Sequence, residues 1–242
     1  MFVSSKAFVL KKTQFDEKGV VLKLFTEKYG TQSFVMRNAF SAANRRLLPL
    51  FSPLSLVEIQ FDDRKLNQMM YIKEVICYFH YRNIPYDIAK SSLLFFYCEL
   101  LYRLLYESAA DQKLYDFVER ELMALDDAEQ VRPDSHLRFM MQLSRILGFA
   151  PIDNYNEKEC YFSIQHSSFI NYRIDEEDTL PAETSLILHR LMNGDLEKPA
   201  PKSTRNQLLN SLIRFFMLHN EQIRKMESVK VLAEISEGLS GL

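Results

Sequence analysis

The hydrophobic pattern of the chain changes period once. Up to about residue 80 the apolar side chains fall in short runs. At Val57, Ile59 and Phe61 they share one face, while Glu58 and Gln60 take the other, the alternation of a strand with one side in a core. Runs of this kind, rich in Val, Phe, Ile and Leu, predict strands over residues 6–12, 20–25, 33–37, 56–61 and 69–75. Asp16-Glu17-Lys18-Gly19, Lys28-Tyr29-Gly30 and Asp62-Asp63-Arg64-Lys65 supply the turns. Five short strands in so little chain predict a small closed or nearly closed barrel, because an open sheet of that size would leave both edges unpaired.

From Pro85 the period lengthens. Leu93, Tyr97, Leu100 and Leu104 recur at helical spacing. A second helix is expected after Asp111, with Leu114, Phe117, Val118, Leu122 and Leu125 inward. A third fits between Pro133 and Gly148, and a fourth between Pro181 and Gly194, each with glycine as its left-handed stop. A last helix is expected to open at Ser203 or Thr204, with Thr204 and Gln207 in capping-box spacing. Residues 151–178 carry no helical stripe and predict an irregular insertion with a small hairpin near Tyr161-Phe162-Ser163-Ile164. The fold expected is therefore α+β: a five-stranded barrel over residues 1–80, then a helical domain over residues 81–242 containing that insertion.

Charge sharpens this division. The formal net charge is only −2, but residues 1–80 hold 12 basic and 7 acidic side chains, against 18 and 25 in residues 81–242. A basic segment joined to an acidic one suggests separate tasks, the first a candidate for polyanions. The longest apolar run, residues 93–106, is broken by Glu99 and Arg103 and is shorter than the roughly 20 residues of a membrane span, so no membrane partner is expected. Cys77, Cys98 and Cys160 are too few and too scattered for a disulfide framework, and the N-terminus lacks the features of a secretory signal. The expected location is cytoplasmic.

Familiar enzyme signatures are missing. The six glycines assemble neither G-x-G-x-x-G nor a phosphate-binding P-loop, and there is no G-x-S-x-G or H-E-x-x-H. Cys160 and His166 come closest to a metal pair, two ligands where zinc needs about four. The acidic pairs lie in expected turns and helix ends. No catalytic residue, metal or cofactor is therefore expected. The barrel instead offers Lys11 and Lys12 at the end of its first strand, Lys23 in the second, Arg37 after the third, Arg45 and Arg46 in the long connection that follows, and Lys65 in a later turn. On one groove these cations would meet phosphates while exposed Phe or Tyr rings stack on bases.

Order and spacing carry a resemblance. Lys6-Ala7-Phe8-Val9-Leu10 followed by Leu24-Phe25-Thr26-Glu27-Lys28-Tyr29-Gly30 resembles the opening of the RecO family of bacterial recombination mediators. Phe34 to Ala39 and Leu50-Phe51-Ser52-Pro53 are similar to the strand and approach that follow there. Arg138-Phe139, Leu147-Gly148-Phe149-Ala150-Pro151 and Ser228-Val229-Lys230-Val231-Leu232 are similar to its central and closing segments. The resemblance implies that the barrel is an OB-fold. It also implies a protein, not an enzyme, that binds single- and double-stranded DNA and anneals complementary strands. With RecR, it would help load RecA onto DNA coated by single-strand-binding protein. Arg138 matches a basic position where that family takes the acidic, Phe-ended C-terminal tail of the coat protein; a surface salt bridge is the alternative for it. An adaptor that meets DNA only through partners is the alternative for the whole chain. Many relatives place four cysteines of a zinc knuckle where this chain keeps Cys160 alone, so the insertion is expected to hold by packing of Tyr155, Tyr161, Phe162 and Phe169. Arg37-Asn38-Ala39 replaces a more basic, glycine-containing loop; Asn38 is expected to adopt the positive backbone angle a glycine would serve, while fewer charges imply weaker or more salt-sensitive DNA binding.

Overall fold

The structure is a computed structural model and describes residues 1–66 and 68–228, without the side chains of Lys65, Arg224 and Lys225. The expected closing segment from Val229 onward lies outside the described residues. The chain divides into two compact units, Met1–Ala128 and Glu129–Leu242. No helix among the described residues is long and apolar enough to cross a membrane.

The first unit is built on a six-stranded sheet comprising β1 (Phe2–Gln14), β2 (Val20–Thr26), β3 (Gly30–Met36), β4 (Leu56–Asp62), β5 (Met70–Tyr71) and β6 (Glu74–Phe79). Their order is β5-β3-β2-β1-β4-β6, antiparallel except for the β3–β5 pair. The expected fifth strand is thus realised as two pieces. Only Ile72 and Lys73 separate β5 on one edge from β6 on the other, so one bent stretch of chain joins the two edges and curls the sheet. That removes most of the open edge a small flat sheet would present.

Inside the curl lie Val9, Leu22, Leu24, Phe34, Ile59 and Phe61, with Phe34 edge-on to Phe61 at 5.2 Å. The outer face of β1 is covered too. Phe8 stacks on Phe25 and on Tyr115, and Cys98 lies against the Val9 and Leu10 carbonyls. Burial on both faces explains why Ala7-Phe8-Val9-Leu10 is continuously apolar.

The outer cover comes from α1 (Ile88–Leu104) and α2 (Gln112–Asp127), capped by the carboxylates of Asp87 and Asp111, which accept from the Lys90 and Leu114 amides. Asp126 near the end of α2 accepts the amides of Arg82, Asn83 and Ile84 and so fixes the approach to α1. Gly30, at φ +66°, starts β3 where a side chain would meet the Ser108 carbonyl at 2.3 Å. Only glycine lets the chain after α1 pack so closely.

The second unit contains α3 (Ser135–Ile146), the hairpin β7 (Tyr161–Ser163) and β8 (Ser168–Ile170), α4 (Ala182–Asn193) and α5 (Lys202–His219). Gly148 and Gly194 take positive φ after α3 and α4, as expected. The hairpin is held by Phe162 on Phe169 at 5.3 Å, with Tyr155 edge-on to Phe169; Tyr161 is half-buried. A polar clamp adds to this packing. Buried Ser163 donates to Asp178, His166 lies 2.9 Å from the same hydroxyl, and Asp178 also accepts the Gln165 amide.

The expected capping box does not form. The helix α5 opens one residue earlier than expected, after Pro201, with no side-chain cap. The Gln207 side-chain Oε1 instead accepts from the Thr184 hydroxyl on α4 at 2.8 Å. A helix-to-helix bond has captured the group that the local motif required.

Candidate nucleic-acid interface

The barrel cations fall into two sets on opposite faces of β1. A bulge between Val9 and Lys11 shifts the register, so Lys11 lies opposite Lys23 and Lys12 opposite Leu22. Leu22 points into the barrel. Successive strand residues point to opposite faces, which sends Lys12 toward the barrel mouth and Lys11 to the outer surface. The seven predicted cations do not converge on one groove.

Three connections build the mouth. The β1–β2 turn is pinned by Asp16, whose carboxylate accepts the Lys18 and Gly19 amides. Beside it runs the segment after β3, joined to the turn by the Ala39 amide donating to the Lys18 carbonyl at 2.7 Å. Asn38 takes φ +51°, the conformation expected for it in place of glycine, and the Asn44 side-chain Nδ2 donates to the Arg37 and Asn38 carbonyls. A 3-10 turn, Arg45–Phe51, follows and buries Phe51 completely in the barrel core.

On this frame Arg45 and Arg46 are exposed, and Arg37 lies 5.0 Å from the centre of the Tyr71 ring. Lys12 donates to the Leu48 carbonyl at 3.1 Å, and partial burial lowers its pKa. Two phenyl rings that sequence reasoning did not single out stand in the same region. Phe15 of the turn is 66% exposed and Phe40 of the next loop 44%. An apolar residue inside a polar turn was their one available signal. Guanidinium groups beside free aromatic faces are the elements of a surface that tracks phosphates and stacks bases.

The outer set is different. The Lys11 ammonium lies 4.6 Å from the centre of the Tyr102 ring, and Lys23 lies 3.4 Å from that of Tyr106. The two tyrosines meet edge to face at 5.8 Å. Desolvation lowers the Lys23 pKa, offset in part by Glu107. Lys65 ends the 3-10 turn Asp63–Lys65, and its side chain lies outside the described residues.

In the second unit, Arg138 is engaged from within. Its Nε donates to Asp134 at 3.0 Å and its Nη2 to the Leu196 carbonyl at 2.6 Å. Arg132 holds the other side of the same carboxylate. Burial pushes the Asp134 carboxyl up, but the two guanidiniums together keep it below the ordinary carboxylate range. Arg138 does not line the polar groove of about 410 Å³ in this unit, where Arg214, Gln207 and Leu180 meet.

Two family models divide the chain near residue 80, ahead of the boundary between the two compact units. The family model "Recombination protein O N terminal" matches residues 1–79, and "Recombination protein O C terminal" matches residues 85–227. The DNA repair protein RecO of Phocaeicola vulgatus is 27% identical over 239 residues, covering 97% of this chain and 99% of the relative. Its namesakes in Flavobacterium psychrophilum and Porphyromonas gingivalis are each 26% identical with the same coverage. The N-terminal domain of that family is an OB-fold, which the curled sheet of the first unit matches, so the α+β expectation holds. Two adjoining family models and relatives aligned over almost their full length make this chain a member of the RecO family of DNA repair proteins.

Proposed function

We propose that this protein is a recombination mediator that binds single- and double-stranded DNA at the mouth of its barrel and anneals complementary strands. In this reading it acts with a RecR partner to help load RecA onto DNA coated by single-strand-binding protein. The observation that supports this most is the mouth itself. Arg45 and Arg46 form no salt bridge among the described residues, and Phe15 and Phe40 are exposed on the adjoining connections. Unneutralised guanidiniums are available to phosphates, and exposed rings to bases.

The role requires no bond-making group. Annealing needs phosphate repulsion to be neutralised while bases stay accessible, and arginine does this without supplying a nucleophile or a base. Loading onto coated DNA adds a contact to the coat protein. For that contact we assign Arg138, already oriented by Asp134; a terminal carboxylate would replace the Leu196 carbonyl on its guanidinium edge. The test is annealing of two complementary oligonucleotides, each coated with single-strand-binding protein, in the presence of the full chain. Faster duplex formation is expected; a rate equal to that without the chain would sink the reading.

A further inference from the structure

The outer surface of the barrel carries a second feature that the mouth does not explain. Lys11 and Lys23 are directly opposed across β1 and β2, where like charges repel and destabilise a strand pair. Neither forms a salt bridge among the described residues. Each ammonium is seated on a tyrosine instead, which places the charge without neutralising it. Beside them runs a groove of about 800 Å³ lined by Lys23, Lys28, Ser33, Gln68, Tyr106 and Glu107, among others, two lysines against one acid. Its floor is the outer side of β2 and β3, and its far wall is the stretch after α1, tied down by the Thr31 amide donating to the Ser108 carbonyl.

We propose that this groove is a second nucleic-acid site, one that grips the phosphate backbone of a separate strand. The proposal rests on the reading of the mouth as a DNA site and adds a partner segment to it. The chemistry of the two surfaces differs in a way that gives them different tasks. At the mouth, ring faces are open to bases. In the groove, one face of Tyr106 is taken by the Lys23 ammonium and Tyr29 is half-buried edge-on against Phe61, so charge and hydrogen-bond donors outweigh stacking there. A strand held there keeps its bases unstacked from protein and open to pairing. The neighbouring residues Lys11 and Lys12 serve the two sites separately, because the bulge before Lys11 sends one to each face.

The test counts strands. Oligothymidylate of about 12 nucleotides, near the span of one OB-fold, is titrated into the full chain at low salt, and complexes are counted by native mass spectrometry. Two oligonucleotides per chain are expected for the wild type and one for K11Q/K23Q, with two restored in K11R/K23R. R45Q/R46Q should also retain one, now held in the groove. A wild type that saturates at one, or a K11Q/K23Q variant that still takes two, overturns the second site. If K11Q/K23Q behaves as proposed while R45Q/R46Q still takes two, the mouth reading fails and the groove stands. An acidic peptide that binds the wild type and not K11Q/K23Q, with thymidylate stoichiometry fixed at one, assigns the groove to a protein partner and overturns the proposal.

Discussion

The arginines of the barrel mouth and a group of four in the second unit are employed in opposite ways. The four hold the fold together. Arg132 and Arg138 clamp the fully buried Asp134, Arg145 donates to the Met192 carbonyl, and Arg205 donates to that of Ala200. At the barrel mouth Arg45 and Arg46 have no carboxylate within reach among the described residues, and Arg37 rests on a ring. A guanidinium satisfied by its own chain contributes to stability; one left unsatisfied and exposed contributes little to the fold and is available to a ligand. Net charge per segment points toward this difference, but only the partners of each side chain establish it.

The largest expected effect lies on the structural side. D134A leaves two guanidiniums without their carboxylate and should destabilise the chain by about 2–3 kcal/mol in denaturant titration, at the low end for a broken buried pair because both arginines reach solvent. The salt slope of DNA binding should not move. The sign of the pH effect follows from the carboxyl pKa being lowered in the folded state. The stabilisation is complete above the ordinary carboxylate pKa of about 4 and is lost as pH falls below it. D134N should therefore show a shallower loss of stability on acidification than the wild type.

Next in size are the mouth rings. F15A and F40A should each weaken single-strand binding by about 1–3 kcal/mol, with a smaller loss for duplex, whose bases are already stacked. Equal losses for both substrates would mean that the rings do not stack on bases.

Arg138 sets the boundary of the comparison, since it is assigned both a structural partner and a ligand. R138Q should weaken binding of an acidic peptide ending in Phe severalfold while DNA affinity stays put. An unchanged peptide affinity would leave Arg138 as a salt bridge alone. The smallest expected effect is on stability at the mouth: R45A/R46A should unfold within about 0.5 kcal/mol of the wild type, and a larger shift would mean that these arginines also hold the fold.

Much of the fold was legible because it is written locally. Strand alternation at Val57-Ile59-Phe61, the cap at Asp111, the stops at Gly148 and Gly194 and the positive φ at Asn38 each depend on a few neighbouring residues. What escaped depends on distant partners. The split of residues 69–75 arises because one stretch must pair with both β3 and β4, and Gln207 left its cap for Thr184 on another helix.

The candidate site was half legible. Its cations could be named, but the bulge before Lys11 reverses which lysine faces which side, so a list that reads as one groove is divided between two faces of the sheet. Tyr102 and Tyr106 fall in the apolar run of residues 93–106, where nothing local marks them as seats for lysine. They sit beneath Lys11 and Lys23 because the end of α1 is tied to Thr31 of β3, whose hydroxyl donates to the Leu105 carbonyl at 2.5 Å.

The salt dependence of single-strand binding by the full chain, without any partner protein, tests the central claim most directly. In a plot of log affinity against log salt, each phosphate contact contributes a slope of about −0.7. R45A/R46A should make the slope shallower by about 1.4 units and R138Q should leave it unchanged. A wild type that does not bind, or a slope altered by R138Q and not by R45A/R46A, would contradict the assignment of free cations to the barrel and structural ones to the helical unit.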